Sequence, residues 1–197
     1  MQKLELFPTP VVIFDIEDHQ NIKTELLSID ELNLNASYLA NHDIWDYKEK
    51  YECLGNLHSL FLEKAAEYLN AFYDEQYTAD MFFHKRGWYS IRKPMDHSSA
   101  GAGLHNHRMT TIAMTYYVDV YNDSSPIHLL DSRAQLNWAS LDDSKTYHQY
   151  KHQPKSGQLI MFPGWLLHDV PLNKGDHSRI ALTSNIQLKE SYKTNLM

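Results

Sequence analysis

The second half of the chain is a succession of short segments rich in β-branched and aromatic residues, separated by glycine, proline and polar turns. Such segments are typical of strands, and regularly spaced short strands favour a sandwich or a barrel. We therefore expect a mainly β domain, a barrel of two facing antiparallel sheets. The predicted strands are 88–93, 110–120, 127–130, 158–162, 170–172 and 179–188.

The first half differs in character. Residues 10–16 predict one strand, whereas 18–29 and 42–75 predict helices. The second helical segment carries an apolar stripe with a spacing of three and four, and such a stripe needs a partner surface. We expect these N-terminal helices to pack on one outer face of the barrel. The chain would then be a single domain, 1–197, with a helical flank and first strand (1–80) and a barrel core with the functional site (81–190).

Composition excludes some classes of function. The 197 residues carry a net charge of −7, which disfavours direct binding to nucleic acid or to anionic membranes. The only cysteine is Cys53, so an internal disulfide is impossible, as is usual in a reducing compartment. The N-terminal apolar run is too short and interrupted for a signal peptide or a membrane helix. We expect a cytoplasmic protein.

Three histidines suggest a metal site. His105 and His107 form an H-x-H pair, which on a strand would place both imidazoles on one face. His168 lies in an apolar strand–turn–strand sequence, where a histidine needs a reason such as ligation. Imidazole suits iron, zinc, copper and nickel, so the pattern predicts a transition metal without identifying it.

Arg179 opens the last predicted strand, eleven residues after His168. Its planar fork would suit a carboxylate beside the metal, and the Tyr117 hydroxyl could bind the same group. The alternatives are a surface arginine paired with Asp176 and a tyrosine that serves only the core.

Several motifs together give the chain a family resemblance. It resembles the iron(II)- and 2-oxoglutarate-dependent oxygenases, which use a double-stranded β-helix (a jelly-roll or cupin-like barrel), in particular a branch common in marine bacteria and their phages. The resemblance covers nearly the whole chain in the same order. The motifs are LFPTPV (6–11), Trp88, HNHRMTTIAMTYYV (105–118), DSR (131–133), GQLIMFPGWLLHDV (157–170) and RIALTSN (179–185).

The resemblance implies a role for each site residue. His105 and His168 would bind iron(II), and Arg179, assisted by Tyr117 and Thr183, would bind the distal carboxylate of 2-oxoglutarate. The reaction would consume O₂, convert 2-oxoglutarate to succinate by decarboxylation and oxidise a further substrate in the manner of a hydroxylase.

Two positions depart from the superfamily pattern. His107 stands where a carboxylate ligand is usual, so either the site has three histidines or a carboxylate such as Asp131 binds instead. Ala181 stands where many relatives have serine, which leaves Thr183 as the hydroxyl partner.

Two other functions remain open at this level. One is a cupin-like three-histidine metalloenzyme that does not use 2-oxoglutarate, and the other is a non-catalytic jelly-roll binding module. Only the oxygenase needs a carboxylate clamp at Arg179, and only a metalloprotein needs the three histidines together. A homodimer is compatible with the sequence. The polar segment 131–154 is expected to be a loop over the mouth of the site.

Overall fold

The computed structural model describes residues 8–34, 43–97, 103–131 and 149–193. The strands are β1 (Val12–Asp15), β2 (Phe82–Arg92), β3 (Ile112–Asp119), β4 (Ile127–Leu130), β5 (Gln149–His152), β6 (Gln158–Pro163), β7 (Leu167–Asp169) and β8 (Arg179–Leu188). The helices are α1 (His19–Leu27), α2 (Asp30–Leu34), α3 (Glu52–Asn70) and α4 (Glu190–Lys193), with 3₁₀ turns at Ile44–Tyr47 and Ala79–Met81.

The strands form two antiparallel sheets. The larger has the order β1-β6-β3-β8-β2 and the smaller the order β5-β4-β7. Both mix strands that are distant in sequence, as expected when a sheet pair folds into a double-stranded β-helix. The predicted fold class, mainly β with N-terminal helices on one face, is confirmed. Among the described residues, no helix is long and apolar enough to cross a membrane.

Side-chain alternation divides the larger sheet into two faces. On β8, Ile180, Leu182 and Ile186 belong to the core that also contains the helices. Ala181, between them, belongs to a second core inside the barrel. The same alternation occurs on β3 and β6, so one face of the sheet lies against the helices and the other lines the barrel interior.

The helical stripe that the sequence predicts packs on the outer face. The residues of α3 that are buried there include Leu54, Leu57, Phe61, Ala65, Tyr68 and Leu69. The predicted helix 42–75 is nevertheless shorter in the structure, because α3 covers only Glu52–Asn70 and a separate 3₁₀ turn precedes it. The prediction for 18–29 corresponds to α1.

Three predictions about the strands were wrong. No strand covers 170–172, because Pro171 cannot donate a ladder hydrogen bond, and β7 lies earlier, at Leu167–Asp169. Strand β2 begins six residues before the predicted residue 88, with two phenylalanines followed by a polar stretch that carries a bulge between His84 and Arg86. Strand β5 lies within the segment that was predicted to be a loop, of which residues 132–148 fall outside the described part of the chain.

Candidate metal centre

The three histidines singled out from the sequence lie together at one end of the barrel interior. Their potential ligand nitrogens all fall within 4.8 Å of one another. The ring centroids of His105 and His168 are 4.3 Å apart, and that of His107 is 5.1 Å and 5.0 Å from them. Among the described residues, this is the one cluster of three or more histidine, cysteine or acidic side chains placed to hold a metal ion.

The H-x-H segment is held by backbone hydrogen bonds, although it is not a regular strand as predicted. His105 forms an isolated bridge with His168, and residues 106–107 lie outside any strand. The His107 N–H donates to the Gly164 carbonyl oxygen at 2.8 Å, in the turn between β6 and β7. The segment is therefore fixed to the same turn that positions His168.

Gly164 allows this close packing. A Cβ at this position would overlap the carbonyl oxygen and the side chain of Thr110. The Gly164 N–H also donates to the Thr111 carbonyl oxygen at 3.2 Å. Only glycine lets the turn approach the chain after the histidine pair so closely.

Hydrogen bonds to backbone carbonyls fix the tautomer of two of the histidines. The Nδ1–H of His105 donates to the Gly103 oxygen at 2.6 Å, and that of His168 donates to the Leu166 oxygen at 2.8 Å. Each ring then presents the lone pair of Nε2, the form in which a neutral imidazole binds a metal. The Nδ1 of His107 lies 3.3 Å from Nδ2 of Asn185.

Burial keeps the imidazoles of His107 and His168 neutral. It lowers the pKa of His107 to about 3, with smaller contributions from His168 and His105. It lowers the pKa of His168 to about 4, against the opposing effect of its bond to Leu166. Since a metal ion competes with the proton for the same nitrogen, the depressed pKa values favour metal binding near neutral pH.

Arg179 lies at the other end of the interior. Its side chain is only 2% exposed, and Nε donates to the Ser125 carbonyl oxygen at 3.2 Å. The guanidinium carbon lies 5.2 Å from the centroid of the Tyr117 ring. Within the described part of the chain no carboxylate pairs with it, and Asp176 does not form the surface pair considered above. Arg179 is thus a buried cation without a counter-ion there, and this burial lowers its pKa.

One narrow cavity connects the histidines with Arg179. Its polar lining includes Thr183, which the sequence analysis singled out, and Ser90, Arg92 and Thr115, which it missed. The hydroxyls of Thr115 and Thr183 lie 3.3 Å apart on neighbouring strands. Arg92 on β2 lies directly opposite Arg179 on β8 in the strand register. Its Nη1 donates to the Val170 carbonyl oxygen at 3.2 Å. The period-two alternation from Trp88 through Ser90 to Arg92 was the signal available for two of these residues.

Tyr117 and Asp131 lie outside the lining of this cavity. The Tyr117 hydroxyl is buried and interacts with the guanidinium of Arg179, although without a hydrogen bond of regular geometry. Burial raises its pKa to about 12, although the charge of Arg179 opposes the shift. Asp131 lines a separate open pocket of about 380 Å³ with residues such as Thr9 and Leu166 and is not part of the histidine cluster.

These residues fit iron(II) and a dicarboxylate co-substrate. Three imidazoles, with no carboxylate in the cluster among the described residues, are suitable ligands for iron(II) and leave coordination positions for other groups. A buried guanidinium needs an anion, and Ser125, whose carbonyl accepts from its Nε, also has a buried hydroxyl without a hydrogen-bond partner among the described residues.

Comparison with solved structures shows the same fold. The non-heme α-ketoglutarate-dependent epimerase SnoN of nogalamycin biosynthesis aligns with a TM-score of 0.63 and 10% identity, over 91% of this chain and 78% of that one. A prolyl-4-hydroxylase of Pseudomonas putida gives 0.58 and 10% identity, over 93% and 88%. Iron-bound HygX of Streptomyces hygroscopicus gives 0.60 and 8% identity, over 92% and 83%.

A sequence-family comparison adds the affiliation that fold likeness alone does not give. No curated protein matches the chain significantly. A family model described as "Putative 2OG-Fe(II) oxygenase" matches residues 83–185, just over half of the 197 residues, and includes the three histidines and Arg179. The cofactors of that family are iron(II) and 2-oxoglutarate. The chain therefore belongs to the 2OG-Fe(II) oxygenase family.

Proposed function

We propose that the protein is a 2-oxoglutarate-dependent dioxygenase that oxidises its substrate in the manner of a hydroxylase. In this proposal His105, His107 and His168 hold the iron, and Arg179 binds the distal carboxylate of 2-oxoglutarate. The observation that carries it is the buried Arg179, which lacks a carboxylate partner among the described residues and shares one cavity with the three imidazoles.

The buried charge is the strongest support for a keto-acid co-substrate. A guanidinium in a dry cavity is costly unless an anion neutralises it, and its planar fork binds a carboxylate through two parallel hydrogen bonds. Thr183 lies on the same face of β8 and lines the cavity, so its hydroxyl can donate to the same anion. The Tyr117 ring lies against the guanidinium from outside the cavity lining, so Tyr117 would assist by holding Arg179 in place.

The protein's own residues provide position and a dry environment. When bound, the iron and 2-oxoglutarate supply the oxidising chemistry, in which O₂ is consumed, the keto-acid becomes succinate and CO₂, and the substrate is oxidised. The three imidazoles would hold the metal, each through a ring nitrogen that carries no proton. Apolar walls formed by Ile127, Phe162 and Val170 limit the entry of water between the metal and Arg179.

The third ligand in this proposal is His107. Asp131 lies in a different pocket, whereas the His107 ring is within 5.1 Å of both other rings, centroid to centroid. A neutral third ligand leaves more positive charge on the metal than a carboxylate would. We expect this charge to favour binding of the dianionic co-substrate.

Anaerobic titration tests the proposal. The protein is loaded with iron(II), 2-oxoglutarate is added, and the visible charge-transfer absorption of the chelated keto-acid is recorded, followed by succinate release after oxygen is admitted. We expect the absorption and slow succinate formation in the wild type and neither in Arg179→Ala. Iron binding without any effect of 2-oxoglutarate would replace the proposal by the cupin-like three-histidine enzyme.

A further inference from the structure

Asn185 lies beside the metal centre on the interior face of β8. It is six residues after Arg179 and shares its face of the strand, opposite Ala113 on β3 and Arg86 on β2. Its Nδ2 lies 3.3 Å from Nδ1 of His107. Its Oδ1 is buried and has no hydrogen-bond partner in the described part of the chain.

His107 differs from the other two histidines in what its Nδ1 contacts. The Nδ1–H groups of His105 and His168 donate to the backbone carbonyls of Gly103 and Leu166, so their tautomers are fixed by the main chain. The contact of the His107 Nδ1 is the side-chain amide of Asn185. The tautomer of the third imidazole therefore depends on a side chain that substitution can change.

The two orientations of the Asn185 amide have opposite consequences. With Nδ2 towards the ring, Nδ1 of His107 must accept, and the ring proton then lies on Nε2, which cannot bind a metal in that form. Half a turn of the amide exchanges Nδ2 and Oδ1, so that Nδ1–H donates to Oδ1 and the Nε2 lone pair is free. This orientation gives Oδ1 the ring proton as its partner and places Nδ2 where Oδ1 lies in the structure, so the choice between the two depends on which tautomer of His107 the metal requires.

We infer that Asn185 is a positioning residue for the metal centre, which accepts a hydrogen bond from Nδ1–H of His107 through Oδ1 and thereby holds Nε2 towards the metal. The inference rests on the proposed three-histidine site. It makes the three ligands equivalent, because each Nδ1–H then donates to an amide oxygen, two from the backbone and one from a side chain.

The test compares metal affinities of full-length protein by calorimetry, with Zn²⁺ and Mn²⁺ as probes and without 2-oxoglutarate. Asn185→Leu keeps the approximate volume and removes the acceptor, and we expect it to weaken binding about 10- to 100-fold, as loss of a group that orients a ligand does. Asn185→Asp keeps an acceptor and should bind at least as tightly as the wild type. Gln187→Leu, two residues further along the same face and outside the cavity lining, should match the wild type.

A second measurement reports the tautomer directly. Imidazole ¹⁵N spectra of the Zn²⁺-loaded and metal-free protein should show the His107 proton on Nδ1 in the wild type and in Asn185→Asp. In Asn185→Leu the metal-free protein should show a mixture of both tautomers. A wild-type His107 that carries its proton on Nε2 in the metal-free protein would overturn the inference, even if Asn185→Leu proved too unstable for calorimetry.

The His107→Ala background separates this inference from the proposed function. Adding Asn185→Leu to His107→Ala should have no further effect on metal affinity, because the residue through which Asn185 acts is absent. Equal affinity in the wild type and His107→Ala would reject the three-histidine site itself. A loss in His107→Ala together with unchanged affinity in Asn185→Leu would reject only the role of Asn185.

Discussion

His105 and His168 exchange a pair of backbone hydrogen bonds, in which the N–H of each donates to the carbonyl oxygen of the other at 3.0 and 2.9 Å. This isolated bridge ties a segment that is not itself a strand to β7. Because the pairing is antiparallel and direct, both side chains leave the bridge on one side, with ring centroids 4.3 Å apart. The main chain thus sets the relation between two of the proposed ligands before any metal binds.

The third ligand can be tested by substitution at His107. We expect His107→Ala to lose most of its iron(II), whereas His107→Asp should retain iron(II), because two histidines and one carboxylate form a well-known iron(II) site. Metal content after anaerobic reconstitution and desalting measures both. Asp131→Asn is the control and should keep the wild-type content. If Asp131→Asn lost iron and His107→Ala did not, the third ligand would be the carboxylate.

Gly164 provides a test of how the turn positions the site. In Gly164→Ala the new Cβ would overlap the Thr110 carbonyl oxygen, so the turn must move away from the segment that carries His107. We expect a loss of about 1–3 kcal/mol in the free energy of unfolding, typical of overpacking, together with weaker metal binding. Thermal unfolding and metal titration measure the two effects. Gly103→Ala is the matched control, since its Cβ would meet no atom within 4 Å.

Much of the fold could be predicted because apolar periodicity records which faces are buried. The apolar stripe of α3 and the alternation along β8 are both visible in the sequence; β8 has the predicted bounds, and α3 lies within the predicted range 42–75. Strand β5, Gln149–His152, was missed because it is polar and carries no such signal. Its pairing with β4 supplies hydrogen bonds that only the folded chain reveals. The isolated bridge at His105 is likewise a tertiary feature without a local pattern.

The site was predictable to the extent that its residue types are unusual in their setting. Histidine in an apolar turn and arginine on a buried strand require explanation, and the structure brings all three histidines, Arg179 and Thr183 to one cavity. Thr115 and Asn185 were missed because threonine and asparagine on a strand are unremarkable. Continuing the period-two face from Arg179 and Thr183 by one more step would have indicated Asn185.

A buried histidine away from the metal centre predicts the pH dependence of stability. The side chain of His84, on β2, packs against α3. Its Nδ1 is 2.8 Å from the Ser184 hydroxyl, and its Nε2 is 2.9 Å from the His58 carbonyl oxygen. Burial lowers its pKa to about 3. The unfolded chain, with a pKa of about 6.5, therefore binds one more proton at this position between pH 6.5 and about 3.

The contribution of His84 to the free energy of unfolding is complete above about pH 6.5. It is lost as the pH falls, by up to about 1.4 kcal/mol per pH unit. We expect His84→Gln to flatten the decline of the free energy of unfolding by that amount in the metal-free protein. Denaturant unfolding from pH 7 to pH 4 measures it. His97→Gln, at an exposed position, should leave the slope unchanged. Parallel curves for the wild type and His84→Gln would contradict the prediction.

The prediction for Arg179 separates an oxygenase from other metal barrels. Leaving a buried carboxylate without its partner costs about 3–5 kcal/mol, so Arg179→Ala should weaken 2-oxoglutarate binding by at least about 100-fold. Arg179→Lys keeps the charge but loses the planar fork, so its affinity for 2-oxoglutarate should lie between those of the wild type and Arg179→Ala. Both variants should retain wild-type metal content, because Arg179 lies outside the histidine cluster. Calorimetry under nitrogen with Mn²⁺ present measures the affinities, and Lys174→Ala, an exposed cation in the preceding loop, is the control. Equal 2-oxoglutarate affinity in the wild type and Arg179→Ala would show that the carboxylate binds elsewhere.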